Sequence, residues 1–576
     1  MSGRKQDAIW HHFKKIPSNT MTGCRAKCNN CGHELQGLVK RMKIHYNKCS
    51  GKEDEGGAST STPAHGDTTG AGPSVPSSAA STSAADVPSA PRPSKRPSPS
   101  GTPRKKAVLD SFVVRTSATQ KAELDEQVAK MVYATNSAFR LVDHPEFVKM
   151  VEMLRPGYKP PSRQDVADEH LPQVYEKEVR KCSDILRGST VCLGLDGWSN
   201  VHNEPIICAT AMTESGQVYL VDTIDTSGEP HTADYLVDVA KAAIEKAQSE
   251  FDCQVGSIVT DNAANVAAMR KMEEDEESDL VTYGCSAHML NLLAHDVEVP
   301  NVKEQVVHVV KYFRNNHFAS AMYRQEGGNC LIMPQDVRWN TMSDCLDAYI
   351  KNWSKLLKIC EEHRDRIDPT VKTKVSNMVL KRSAEELLGR LRPIAIALDR
   401  MQRDTTMLAE SVDVWKELRD QLGLLDNREV TRKFERRYEQ AMTPAHLLAN
   451  LLHPTHRGAR LTDDERDAAL DYASRRWPSI MPMIVKFQAQ SRPFQPCKFT
   501  DDVTHAVSPG EWWCSHEGIK EENIMVVKKL LSAVAASSGV ERVFSSYGLV
   551  HSKLRNRLGT HKAAKLVFLF KALNMK

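Results

Sequence analysis

The 576-residue chain contains no run of eighteen apolar residues, which excludes an ordinary membrane-spanning helix. Its first residues, Met1-Ser2-Gly3-Arg4-Lys5-Gln6-Asp7, lack the apolar stretch of a secretory signal. The expectation is a soluble, intracellular protein with no membrane partner. Cysteine is sparse: the fourteen are scattered except near the N-terminus, so reduced thiols with one metal cluster fit better than a disulfide framework. Large apolar side chains almost vanish from residue 51 to about 107, where Ser, Thr, Ala, Gly and Pro take over. Such a segment cannot repay the entropy of ordering and is expected to be a disordered tether.

Charge is modest overall, +4, but unevenly placed, with ten Lys/Arg against two Asp/Glu in residues 1–50. That basic end is a candidate polyanion surface. The end of the tether, Arg92 to Lys106, carries six basic residues and no acid. It suits a nuclear import signal, a nonspecific DNA contact or a merely solvated linker.

The length exceeds what one core holds and predicts three or four folding units. Residues 108–188 read as helical, with one amphipathic helix from Ala122 to Arg140. From Thr190 the period changes to short apolar runs, Val191 to Leu195, Ile206 to Ala211 and Val218 to Ile224, with turn residues between them. Thr232 is an expected N-cap, followed by Leu236, Val239, Ala240, Ala243, Ile244 and Ala247 at helical spacing and then a strand over Val255 to Val259. A mixed α/β sheet covered by helices results. Residues 301–505 show only helical patterns, including Cys345 to Glu362, Ala384 to Met401 and Asp463 to Ala473. Beyond them, Val540, Val543, Phe544 and Tyr547 form one helical stripe with Glu541 beside it.

Three acids stand out: Asp196 in Leu-Asp-Gly-Trp-Ser, Asp261 in Thr-Asp-Asn-Ala-Ala-Asn, and Glu541 in Gly-Val-Glu-Arg-Val-Phe-Ser. The first two are expected where strands leave the core, as neighbours if the strand order is three-two-one-four. Three carboxylates together supply hard oxygen ligands for a pair of Mg²⁺ or Mn²⁺ ions, the arrangement that phosphodiester displacement uses. Singly, each has a plainer reading: Asp196 as a turn residue before Gly197, Asp261 as an Asx turn or helix cap, and Glu541 as the far half of a capping box with Ser538.

The pieces around these acids resemble the hAT superfamily of DNA transposases, and their order carries the resemblance. They are Leu195 to Ser199, Thr260 to Asn265, Cys285-Ser286-Ala287-His288-Met289-Leu290-Asn291-Leu292, Arg338-Trp339-Asn340-Thr341, and Ser537 to Ser545. The resemblance implies an RNase H-like mixed sheet interrupted by an all-helical insertion, with Asp196, Asp261 and Glu541 as its metal-binding catalytic acids. It implies that Trp339, beside Arg338, stacks on double-stranded DNA near the cut, that Cys285 and His288 help hold DNA, and that the C-terminal tract mediates self-association. Val543, Phe544 and Leu566 to Phe570 are its apolar candidates, either as a partner surface or as internal core. One departure is Val540, where the family often has Ser.

The N-terminus is informative on its own spacing. Cys28-Asn29-Asn30-Cys31 is followed by His45 and Cys49, two soft-ligand pairs able to close a tetrahedral Zn²⁺ site, the alternatives being that Cys24 replaces a ligand or that the cysteines are unligated. Leu38, Met42 and His45 share a helical face, and Lys40, Arg41 and Lys43 are candidate phosphate or base contacts. Trp10 and Phe13 complete a resemblance to the BED zinc finger. The expected organisation is therefore a finger over 1–50, a linker over 51–107, a helical segment over 108–188, and a first core part over 189–300. A helical insertion over 301–505 and a core end with the dimerisation region over 506–576 complete it. The function it implies is that of a nuclear DNA transposase, or of a DNA-binding regulator derived from one that no longer cuts.

Overall fold

The computed structural model describes residues 8–16, 25–36, 42, 45, 46, 49, 116–200, 202–276, 279–335, 340–552, 555 and 558–575. The chain divides into two compact units, Met1–Thr102 and Pro103–Lys576. In the first, strands β1 (Phe13–Ile16), β2 (Arg25–Cys28) and β3 (Glu34–Gln36) form an antiparallel sheet. Among the described residues, Ile9, Phe13, Ala26, Cys28 and Met42 are buried, with Trp10, Tyr46 and Cys49 packed against them.

The second unit is mixed α/β and mostly helical. Its sheet comprises β4 (Thr190–Ser199), β5 (Pro205–Met212), β6 (Val218–Asp225), β7 (Gln254–Thr260) and β8 (Val281–Gly284) in the order β6-β5-β4-β7-β8. The first three strands form an antiparallel meander, and β7 and β8 add in parallel beside β4. This is the three-two-one-four order with a fifth strand at the edge. β8 escapes sequence reading because four residues give no periodicity. Val191 to Leu195 are all buried, as an apolar run in a central strand covered on both sides requires. The helix Ala233–Phe251 starts on Thr232, whose hydroxyl accepts from Tyr235 N, and buries Leu236, Val239, Ala240, Ala243 and Ala247.

Two apolar clusters lie against the sheet. Val191, Leu193 and Leu195 of β4 join the cluster with Ala233–Phe251 and the C-terminal helices, whereas Cys192 joins the one that includes the long helices after residue 300. Among the described residues, no strand falls between 301 and 505. The helices there include Thr341–Glu362, Met378–Met401, Leu408–Gly423 and Asp463–Arg476. The helix expected over Ala122 to Arg140 is instead Ala118–Ala134. It stops because Thr135 caps it and Asn136 takes a left-handed φ of 50°, followed by a single 3-10 turn at Phe139–Leu141.

The helix Ser538–Val550 lies directly on β4 and β5, and the reason is two missing side chains. A Cβ on Gly194 would come within 2.6 Å of Met212 Cε, 2.8 Å of Val540 Cγ2 and 2.9 Å of Thr210 Oγ1. One on Gly539 would meet Met212 Sδ at 2.9 Å and Val218 Cγ2 at 3.1 Å. Val540, fully buried, thus packs where β4 has no side chain, which accommodates its departure from the family's Ser. Gly194→Ala is expected to cost about 1–3 kcal/mol by forcing the helix and sheet apart, measurable as a lower urea midpoint.

Candidate functional site

Asp196 is an internal residue of β4, paired with Cys208 of β5, so it is neither a turn residue nor a strand end. The turn reading fails because antiparallel pairing with β5 carries β4 on through Ser199. Asp261 is the first residue after β7. The parallel register sets Leu195 beside Thr260, which makes the two acids the next residues along adjacent strands. Asp261 Oδ1 accepts from Ala263 N at 3.1 Å, an Asx turn leading into the helix Ala264–Glu276. Asp196 Oδ1 accepts from Gly197 N at 2.7 Å.

Glu541 lies in the first turn of Ser538–Val550, with Val540, Val543 and Tyr547 buried on either side and Phe544 stacked on Trp198 at 5.9 Å between ring centroids. The capping-box reading is overturned here. Ser537 is the N-cap and makes no side-chain cap bond, while Ser538 Oγ donates to the Gln402 carbonyl at 3.1 Å. The Glu541 carboxylate is therefore not engaged at its own helix start.

All three acids are half-buried, open enough to reach a ligand. Burial first, and the Asp261 charge second, push the Asp196 carboxyl up from 3.8 to about 7, with Gly197 N–H opposing and Glu541 adding to the rise. Burial pushes Glu541 up from 4.5 to about 7. Asp196 thus feels both other acids across three distant stretches of sequence. Carboxylates at neighbouring positions of adjacent strands suit a hard divalent cation, which would relieve the cost of burying the Asp196 charge. Asp196 and Asp261 also line a cleft with apolar walls from Leu236, Val239, Val266 and Met269.

The pH dependence follows with a definite sign. An acid whose folded pKa lies above its unfolded value makes no difference while both states are protonated, and it destabilises the folded state as pH rises toward about 7. A cation must displace those protons. If these acids hold Mg²⁺, the gain in melting temperature on adding it is expected to be larger at about pH 8 than at about pH 6, and to disappear in Asp196→Asn.

Cys285 corrects an expectation. It is 1% exposed, and its Sγ accepts from His288 N and from Ser537 N, both at 3.4 Å, so the thiol ties two chain segments together and offers no surface to DNA. His288 is half-buried, its imidazole pushed down by burial, with Asp261 opposing and Arg437 reinforcing that shift. Of the two readings of the apolar C-terminal tract, internal core holds for most of it, while Phe544 and Phe570 stay half-buried. Val543, Leu566, Val567, Phe568 and Leu569 are buried within one chain, in a cluster that includes Val132, Tyr133 and Val174, because the helices Ala118–Ala134 and Leu171–Leu186 cover them.

Residues that sequence reasoning passed over complete the surroundings. Arg270 Nη1 donates to the Asp261 carbonyl at 2.5 Å and to Thr260 Oγ1, and Asn262 Nδ2 donates to the Cys285 carbonyl at 2.9 Å. Gly284 leaves room for that bond, since a Cβ there would overlap Asn262 Oδ1. Nothing in the spacing of Arg270 marks it, because it reaches Asp261 across more than two helical turns.

In the first unit, the ligand atoms of Cys28, Cys31, His45 and Cys49 all lie within 4.8 Å of one another, with Cys31 Sγ 3.2 Å from His45 Nε2. Cys28 ends β2, and Gly32, at a φ of 70°, turns the chain after Cys31. Burial would raise the Cys28 thiol, but N–H groups of Cys31 and Asn30 bring it below its ordinary value, while hydrogen bonding with Cys31 raises Cys49. Three thiols and an imidazole at this separation form a donor set that can hold zinc structurally. Lys40, Arg41, Lys43, Arg338, Trp339, the alternative ligand Cys24 and the tether over 51–107 lie outside the described residues.

Comparison with known proteins places names on two stretches. Residues 161–312 match a domain of unknown function, DUF659, and residues 494–573 match the hAT family C-terminal dimerisation region. A protein of Talaromyces stipitatus named as a candidate transcriptional regulator, tpeD, is 22% identical over 204 residues, 33% of this chain and 24% of that protein. The similarity thus spans about a quarter of that relative's length. The hAT C-terminal region, the DUF659 match and a zinc-type ligand group in one sequence together support a hAT-family transposase-like protein.

Proposed function

We propose that the chain is a DNA transposase that cuts and joins transposon ends, with Asp196, Asp261 and Glu541 holding Mg²⁺ or Mn²⁺ in an RNase H-like core. The observation that supports this reading is the parallel register of β4 and β7, which makes Asp196 and Asp261 the next residues along adjacent strands at one cleft, with the Glu541 helix packed on β4. Bound metal would activate the attacking oxygen and stabilise the leaving one in phosphodiester displacement. The chain's own residues do the rest. Arg270 fixes the Asp261 backbone, and burial lowers the His288 imidazole against the opposing pull of Asp261. Trp339 would stack on DNA beside Arg338, as base stacking on an aromatic tolerates any sequence.

In this reading the N-terminal unit is a BED-type zinc finger that recognises DNA through Lys40, Arg41 and Lys43, and the basic run ending at Lys106 directs the protein to the nucleus. The C-terminal region mediates self-association, through surfaces other than its buried apolar tract. A second reading, a transposase-derived regulator that binds DNA without cutting it, is favoured by the name of the Talaromyces relative. Incubating the purified protein with flanked transposon-end DNA and Mg²⁺ separates them. Cleavage and hairpin products support the enzyme, whereas specific binding without cleavage, where a related active transposase cuts, selects the regulator.

A further inference from the structure

An arginine immediately after an acidic site residue is first read as a contact for substrate phosphate. Arg542, which follows Glu541, has its donors turned the other way. Nη1 donates to the Gln402 carbonyl at 3.1 Å, and Nη2 pairs with Asp404 and reaches Ser538 Oγ at 3.5 Å. Ser538 Oγ donates to the same Gln402 carbonyl. Gln402 caps the helix Met378–Met401, and Asp404 sits in the short connection to Leu408–Gly423, so both belong to the helical region.

That connection is sewn into the chain on its far side too. Leu408 N donates to the Ala533 carbonyl at 2.6 Å, Ala535 N to the Thr406 carbonyl at 2.9 Å, and Met407 bridges Val534. The segment so held, 533–538, leads straight into the helix that bears Glu541. It is fastened in turn to the neighbourhood of Asp261: Ser286 N donates to the Ala535 carbonyl at 3.0 Å, Ser537 N to Cys285 Sγ, and the Cys285 carbonyl accepts from Asn262. One continuous set of bonds therefore joins the helical region to residues flanking two of the three acids.

We propose that Arg542 is a positioning residue that fixes the Glu541 carboxylate relative to Asp196 and Asp261 by clamping the first turn of its helix onto the Gln402–Met407 connection. The inference rests on the reading of the three acids as a metal site. A planar fork suits the task, since it addresses a carbonyl and a carboxylate at once, which the point charge of a lysine does not. The pair is 41% exposed on Arg542 and 32% on Asp404, so it adds little to global stability. Its effect belongs to the geometry of the acids.

The test is Mn²⁺ titration by calorimetry on the full-length, zinc-loaded protein, with Arg542→Ala, Arg542→Lys, Asp404→Asn and Asp261→Asn compared. Arg542→Ala is expected to weaken Mn²⁺ binding about ten- to a hundredfold, as loss of a residue orienting a metal ligand does. The melting temperature without metal stays put, amide exchange over 533–545 quickens, and Arg542→Lys and Asp404→Asn fall in between. Wild-type affinity in a folded Arg542→Ala protein overturns the clamp. Should that variant unfold, wild-type affinity in both Arg542→Lys and Asp404→Asn overturns it, and weakened binding in both, with normal melting, sustains it. Wild-type protein with no Mn²⁺ binding that Asp261→Asn removes would sink the metal-site reading and the clamp with it.

Discussion

Asp261→Asn is expected to abolish cleavage of transposon-end DNA while leaving the fold and DNA binding intact. The substitution keeps the side chain's shape, and an amide oxygen can still accept from Ala263 N, so the Asx turn into Ala264–Glu276 survives. What is lost is a charge on a strand end where Asp196 is already raised to about 7 in part by that very neighbour. With the charge gone, the Asp196 carboxyl should fall while burial still holds it above its ordinary range, an internal check visible by NMR titration. Metal-supplied stabilisation of a phosphodiester transition state is worth several kcal/mol. Losing about 4 kcal/mol slows the reaction on the order of a thousandfold. If the Asp261→Asn variant cuts as well as the wild-type protein, these acids are not used as proposed. Binding with no cutting in either form selects the regulator.

The second large effect is expected at the other end of the chain, where removing zinc should unfold the N-terminal unit and leave the second unit's melting unchanged. Among the described residues the buried apolar ones are Ile9, Phe13, Ala26, Cys28 and Met42, and a stretch of about fifty residues rarely holds enough apolar surface to offset the entropy of ordering. One of the five is itself a ligand. Zinc bound by a Cys₃His set contributes on the order of 10 kcal/mol to folding at neutral pH. Cys28→Ser should therefore act like a chelator, because it removes a ligand and puts a hydroxyl into the small core of this unit. Amide exchange over 25–36 in the full chain reads the outcome. Protection that persists in the presence of a strong chelator would refute the metal assignment.

The fold was legible wherever a pattern repeats. Strands β4 to β7 and the helix Ala233–Phe251 stand within a few residues of the expected bounds because each buries an apolar run or stripe long enough to show its period. β8 and the early stop at Ala134 were not, since a four-residue edge strand and one left-handed asparagine leave no periodic trace. At the acids, sequence supplied candidates and order but left each with a plausible local role. The capping box at Ser538 was the most specific of those, and it failed for a reason outside the motif: the Ser538 hydroxyl is taken by Gln402, a residue of the helical region.

The C-terminal tract was undecided for a similar reason. Leu566 to Leu569 read equally well as a partner surface or a core, because hydrophobicity has no address. Only the placement of the helices before the sheet decides that this face is covered within the chain.

By itself, then, the sequence determined the ligand set of the N-terminal unit, the alternation of strands and helices, and the three acids as residues apt for a metal. The first two are properties of spacing within one stretch of chain, which local stereochemistry is enough to read; the acids stood out through the order of the motifs around them. Tertiary structure alone decided that Asp196 lies inside a strand beside Asp261, that Gly194 and Gly539 let the Glu541 helix settle on that strand, and that Arg542 faces the helical region and not the acids' open side. Each of these depends on contacts between residues far apart in the chain, whose energies come from burial and close packing that no local pattern encodes.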